Sequence, residues 1–158
     1  MLKSNVSSIN ITRKNAAEKR GGRHGMILLV CVDLDGGMAF AGRRQSRDRV
    51  LTRRILERTA GGELWVNPAS APLFGDAPQL RPAADFLARA GKGAFCFAEI
   101  DDPAPYAGRM EQIVRWCWNR RYPSDLKCAL PPDGWRLLET AEFAGFSHDK
   151  ITEEVYTR

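Results

Sequence analysis

Apolar positions along the chain fall into blocks whose period changes from one block to the next. Met26-Ile-Leu-Leu-Val-Cys-Val32 is an unbroken apolar run with β-branched members, ended by Asp33-Leu-Asp-Gly-Gly37. Such a run reads as a central strand buried on both faces. From Ser46 to Gly62 the apolar residues Val50, Leu51, Ile55 and Leu56 share one side at helical spacing, with a cap candidate in front and two glycines behind. That predicts a helix of about three turns. Glu63–Asn67 reads as a short strand closed by Pro68, and Pro72, Pro78 and Pro82 punctuate a loop. Arg81–Ala90 fits a helix with Pro82 in its first turn. Ala94–Ala98 is a further strand and Pro105–Met110 a short helix. In Ile113–Trp118, Val114, Trp116 and Trp118 alternate with Arg115 and Cys117 as one face of a strand does. Trp135–Thr140 and Ile151–Tyr156 read as two strands joined through Gly145-Phe-Ser-His148.

Strands alternating with helices imply parallel pairing through right-handed crossovers, and two consecutive strands at the end imply an antiparallel edge. The expected class is therefore α/β, with a mostly parallel central sheet and an antiparallel C-terminal edge. A length of 158 residues allows one domain, expected over 26–158.

The formal charge of +5 changes meaning when it is divided along the chain. Residues 1–25 hold Lys3, Arg13, Lys14, Lys19, Arg20 and Arg23 against Glu18, and the remainder is balanced. This segment is expected to be either a disordered basic extension, able to touch nucleic acid nonspecifically, or the product of an upstream start with Met26 the functional beginning, with organellar targeting the remaining alternative. It lacks the apolar core of a secretory signal, so none is expected in it. No stretch approaches the roughly 18 apolar residues of a membrane span. Cys31, Cys96, Cys117 and Cys128 form no CxxC pair, and the first three sit in apolar runs. They are expected in the core as free thiols, which points to the cytoplasm.

Four stretches resemble the dihydrofolate reductase family. They are the apolar strand followed by Asp33-Leu-Asp-Gly-Gly37, Asp48 near the start of the first helix, Thr59-Ala-Gly-Gly-Glu-Leu-Trp-Val66, and the closing Ser147-His-Asp-Lys-Ile-Thr-Glu-Glu-Val-Tyr156. The resemblance implies a dihydrofolate reductase-like three-layer sandwich over 26–158, shortened by one strand-helix unit between Ser70 and Ala94. It also implies that Asp48 is the acid that hydrogen-bonds a heterocycle. Two departures bear on the cofactor. Where reductases carry Gly-Arg-x-Thr this chain has Asn67-Pro-Ala-Ser70, and where they end a strand in paired glycines it has Phe97-Ala-Glu99. The family's phosphate contacts are not carried over, so the cofactor is left unassigned and an NADPH reductase needs non-standard contacts. Stretches such as Arg43-Arg-Gln-Ser46 and Trp118-Asn-Arg-Arg-Tyr-Pro-Ser-Asp125 also resemble chains labelled ribonuclease Z. Enzymes of that name use a HxHxDH zinc cluster, and this sequence has only His24 and His148.

The densest chemical feature is Gly42–Arg54, with six arginines against the single acid Asp48. Forked guanidiniums at a helix N-terminus grip carboxylate or phosphate, so a small anionic ligand, pterin- or nucleotide-like, is expected there. The alternative is a solvated face with local pairs such as Arg53 with Glu57. Asp33, Arg43, Arg44, Ser46, Glu99 and His148 are the expected ligand contacts, with Asp48 the expected catalytic residue. The cleft is expected between the Asp33–Phe40 loop, the start of the Asp48 helix and the Phe97–Glu99 strand end. Asp33, Asp35, Glu99, Asp101 and Asp102 fall past strand ends and could gather around Mg²⁺, but solvated loop acids are the simpler reading and no metal is expected. The loop Trp118–Asp125 mixes aromatic and basic groups as RNA-binding surfaces do, although Trp116 and Trp118 at strand spacing fit packing better, with Arg120 paired to Asp125. Ser147-His-Asp149 cannot be a relay, because consecutive extended residues alternate faces. His148 is expected to close a turn by hydrogen bonding.

Overall fold

A computed structural model describes residues 25–158. The expectation for the basic extension falls on residues outside that range, except for Gly25. The main sheet has seven strands in the order β5-β4-β6-β1-β7-β10-β9. They are β1 (Met26–Val32), β4 (Leu64–Val66), β5 (Leu80–Pro82), β6 (Phe95–Ala98), β7 (Met110–Cys117), β9 (Arg136–Phe143) and β10 (Ile151–Thr157). Strands β5, β4, β6, β1 and β7 pair parallel, and β10 and β9 add the antiparallel edge. A second sheet of three short strands runs β3-β2-β8, with β2 at Gly37–Phe40, β3 at Arg43–Arg44 and β8 at Leu126–Lys127.

Strand β1 lies between two apolar clusters because alternate side chains point to opposite faces. Leu28, Val30 and Val32 meet Phe86, Leu87, Cys96 and Ile113 on one side, while Leu29 meets Leu51, Ile55, Val114 and Trp116 on the other. Helix α1 (Arg49–Thr59) covers the second face, burying Leu51, Ile55 and Thr59 at intervals of four. Full burial of one such aliphatic side chain contributes about 1.5–3 kcal/mol. Asp48 is the N-cap, and the helix ends before Gly61, whose φ of 83° suits glycine.

Three expectations are corrected. The helix expected over Arg81–Ala90 is instead strand β5 followed by one turn, α2 (Phe86–Arg89). Leu80–Pro82 pair with β4, and Pro82 is tolerated because β5 is an edge strand. The helix expected from Ser46 begins at Arg49, because the Asp48 side chain accepts from the Val50 and Leu51 amides in extended backbone. Cys96 is buried, but Cys31 and Cys117 are only half-buried, although all four thiols are free. Burial pushes the Cys96 thiol up to about 12, so it is inert.

Candidate functional site

Parallel pairing brings the C-terminal ends of β1, β6 and β7 to one edge of the sheet, where open α/β sheets place their ligands. The loops that leave these strands meet the start of α1 and the turn between β9 and β10. Polar side chains hold them together. Asp33, buried after β1, accepts from the Asp35 and Gly37 amides at 2.8 Å each, and from the Tyr122 amide and Gln45 Nε2 at 3.1 Å each. Burial raises its pKa, but these donors outweigh burial and lower it overall. Asp33 thus ties three loops into one platform.

Asp48 does the same for the neighbouring turn. Its Oδ1 accepts from the Val50 and Phe146 amides at 2.9 Å each, and its Oδ2 accepts from the Ser147 amide at 2.8 Å and Ser147 Oγ at 3.1 Å. His148 Nδ1 lies 2.9 Å from the same Oδ2. Burial opposes ionisation here too, and the Phe146 amide, His148 and the Ser147 and Val50 amides reverse it, holding the carboxyl well below the usual range. Gly145 is required for this approach, since a Cβ there falls 2.6 Å from Asp48 Oδ2. The carboxylate expected to hydrogen-bond a heterocycle is buried, and both of its oxygens accept from protein donors.

An ionised carboxylate only accepts, so Nδ1 of His148 carries a proton, and in the neutral imidazole Nε2 is then the acceptor. Nε2 lies 3.1 Å from both Ser46 Oγ and Tyr122 Oη, and Tyr122 Oη donates to Ser46 Oγ at 3.4 Å. The imidazole is buried and stacks on Trp118 with ring centroids 4.5 Å apart, whereas Ser46 and Tyr122 are half-buried. A fixed base therefore stands behind two reachable hydroxyls. The letters Ser147-His-Asp149 form no such arrangement, since Ser147 sits on the Nδ1 side and Asp149 is exposed.

The third cluster fills the end of β6. Buried Glu99 accepts from Arg44 Nε at 3.0 and 3.1 Å and from Ser70 Oγ at 2.7 Å. Arg44 also donates to the Ala69 carbonyl, and Asn67 Nδ2 donates to Asp101 at 2.9 Å. Arg44, expected to grip a ligand, is therefore already engaged by Glu99. The residues here do not fit a dinucleotide pyrophosphate: a buried carboxylate occupies the strand end and its partner cation is neutralised.

Other expected residues are placed as follows. Arg43 and Arg47 are exposed and flank Ser46 in the sequence. Arg120 donates to the Ser147 carbonyl and Asp125 accepts from the Ala41 amide, which replaces the expected Arg120–Asp125 pair. Arg53 with Glu57 is not among the ion pairs of the described residues, whereas Arg54 and Arg58 both meet Glu153. Trp116 and Trp118 are buried and offer no stacking face to RNA. Among the described residues no group of His, Cys, Asp or Glu is placed to hold a metal ion, and no helix is long and apolar enough to cross a membrane. A half-open depression of about 250 Å³ between α2 and Asp101–Tyr106 shares no residue with the Ser46 cluster. Sequence reasoning missed Ser70 and the hydroxyl role of Tyr122, which had only an aromatic-basic context to mark it.

No family model matches this sequence, and no curated protein matches it either. Among solved structures, dihydrofolate reductase from Enterococcus faecalis, complexed with NADP(H) and RAB-propyl, is similar to this chain with a TM-score of 0.60. The likeness covers 85% of this chain and 96% of that one at 12% identity. The class that strand order and likeness define is a mixed α/β sheet protein. More particularly, its fold is that of dihydrofolate reductase.

Proposed function

We propose that the protein binds a small anionic ligand, pterin- or nucleotide-like, at the mouth bounded by Ser46, Tyr122 and the exposed guanidiniums of Arg43 and Arg47. The observation that carries this reading is the triangle of Ser46 Oγ, Tyr122 Oη and His148 Nε2, closed at 3.1, 3.1 and 3.4 Å on the sheet edge. Two hydroxyls that are half-buried and held by a buried base are ordered donors and acceptors, which lowers the entropic cost of recognising polar ligand atoms. The exposed arginines that flank Ser46 in the sequence are suited to bidentate recognition of carboxylate or phosphate. Asp48 and Asp33 hold the walls in place and leave ligand contact to the groups they position. Free thiols suit a reducing compartment such as the cytoplasm.

The test is thermal unfolding with folates, nucleotides and NADPH. A ligand at a hundred times its Kd stabilises by about 2.7 kcal/mol. A folate or nucleotide is expected to raise Tm in the natural chain and to lose that effect in the Ser46→Ala, Arg43→Ala double variant. NADPH is expected to leave Tm unchanged. Flat responses throughout, or an undiminished shift in the double variant, overturn the reading.

A further inference from the structure

We infer that Ser46 is the nucleophile of an acyl-transfer site, with His148 as its general base and Asp48 as the positioning acid, acting on a carboxylic ester or thioester that carries an anionic group. This rests on the binding reading above only for the anionic part of the substrate. The serine chemistry stands on its own geometry.

A serine hydroxyl is a weak nucleophile until an adjacent base removes its proton, and the recognisable pattern is nucleophile to base to orienting group, each in hydrogen-bond reach. Ser46 Oγ to His148 Nε2 is 3.1 Å and His148 Nδ1 to Asp48 Oδ2 is 2.9 Å. Six donors surround the Asp48 carboxylate, from Val50, Leu51, Phe146, Ser147 (two) and His148, so it cannot swing away from the imidazole. Stacking on Trp118 fixes the ring plane. Buried polar chains usually end in another buried partner or in water. This one ends in a half-buried hydroxyl beside Tyr122, whose phenol lies 3.4 Å from Ser46 Oγ and 3.1 Å from Nε2, so that the serine proton reaches Nε2 when the phenol donates to Ser46 Oγ. Such a constellation is recognised by geometry and not by chain order.

In the proposed reaction the Ser46 Oγ–H proton passes to His148 Nε2 as Oγ bonds to the acyl carbon. The carbon–oxygen or carbon–sulfur bond to the leaving group then breaks, and the leaving alcohol or thiol takes that proton. Water attacks the acyl-serine, gives a proton to His148, and the carboxylic acid departs as Ser46 Oγ recovers its hydrogen. Asp48 stays ionised throughout and stabilises the imidazolium.

The test is covalent labelling of the full chain with an alkyl fluorophosphonate, followed by peptide mass spectrometry. The label is expected on Ser46, absent in Ser46→Ala, and formed at least a hundredfold more slowly in Asp48→Asn, which keeps the helix cap but reverses the tautomer preference. Circular dichroism confirms that each variant is folded. If Asp48→Asn fails to fold, His148→Gln replaces it, with the same slowing expected. No label on Ser46, a label on Tyr122 instead, or equal rates in the natural chain and the folded relay variant overturn the inference. Labelling that persists without any ligand-induced Tm shift defeats the anionic-ligand reading alone, and a Tm shift without labelling defeats the nucleophile alone.

Discussion

Two buried carboxylates of this protein have the same burial and opposite consequences. Glu153, on β10, accepts from Arg54 Nε at 2.6 Å, Arg54 Nη2 at 3.3 Å, Arg58 Nη2 at 3.1 Å and Trp116 Nε1 at 2.8 Å. Arg54 and Arg58 lie one turn apart on α1, so Glu153 bolts the helix to the sheet. Burial pushes its pKa up, and Arg54, Arg58 and Trp116 bring it below the ordinary value. Asp48 is equally buried and also held low. The difference is in the partners. Guanidiniums and an indole N–H do not exchange protons at working pH, whereas Asp48 leans on an imidazole whose far nitrogen reaches a half-exposed serine. Burial and a lowered pKa therefore do not distinguish a bolt from a relay, but the proton capacity of the partner does.

The sharpest way to break this comparison is Glu153→Ala, which strands two arginines and an indole beneath α1. A loss of about 3–5 kcal/mol is expected from removing one member of a buried ion pair, at the lower end because Arg54 can turn to water. Denaturant unfolding measures it. Next comes Gly145→Ala, whose Cβ meets Asp48 Oδ2 at 2.6 Å. An overpacking cost of about 1–3 kcal/mol is expected, with slower labelling of Ser46, because the turn that carries His148 must shift.

Acid acts on both carboxylates in the same direction. Asp33, Asp48 and Glu153 all have folded pKa values below their unfolded ones, so the unfolded chain binds more protons as pH falls. Their stabilisation is fully present above the unfolded carboxylate range near 4 and is lost as pH drops through the lower folded values. Tm measured between about pH 6 and 3 should fall steeply in the natural chain and less steeply in Asp48→Asn. The smallest effect is that of Ser46→Ala, at about 0.5–1.5 kcal/mol for a partly exposed hydroxyl that touches His148 and Tyr122. If it costs several times more, Ser46 is a structural member like Glu153 and the contrast collapses.

Much of the fold was legible because β1, α1, β7 and β10 carry enough residues for their periods to show. β2, β3, β5 and β8 have two to four residues each, too few for any period, and their pairing is set by the neighbouring edges. Pro82 reads equally as a helix start or an edge strand, and only the unpaired side of β4 decides between them. Within the site, Asp48, Ser46, Glu99 and His148 stood out singly. Their joining did not, because Asp48 and His148 are 100 residues apart in sequence. Local letters misled as well, since Arg44 looked like a free cation and pairs with Glu99 across 55 positions. One readable signal was missed. Ile151, Glu153 and Val155 share a face of an alternating strand, so Glu153 had to be buried and had to find a cation.

Because a single side chain both starts the first long helix and clasps the final hairpin, the front of the domain waits for its back. A nascent chain that has delivered α1 but not yet Gly145–His148 has a capped helix with no imidazole beside it. Assembly of the corner around His148 is thereby postponed until the turn between β9 and β10 has been made, about 100 residues after the helix cap.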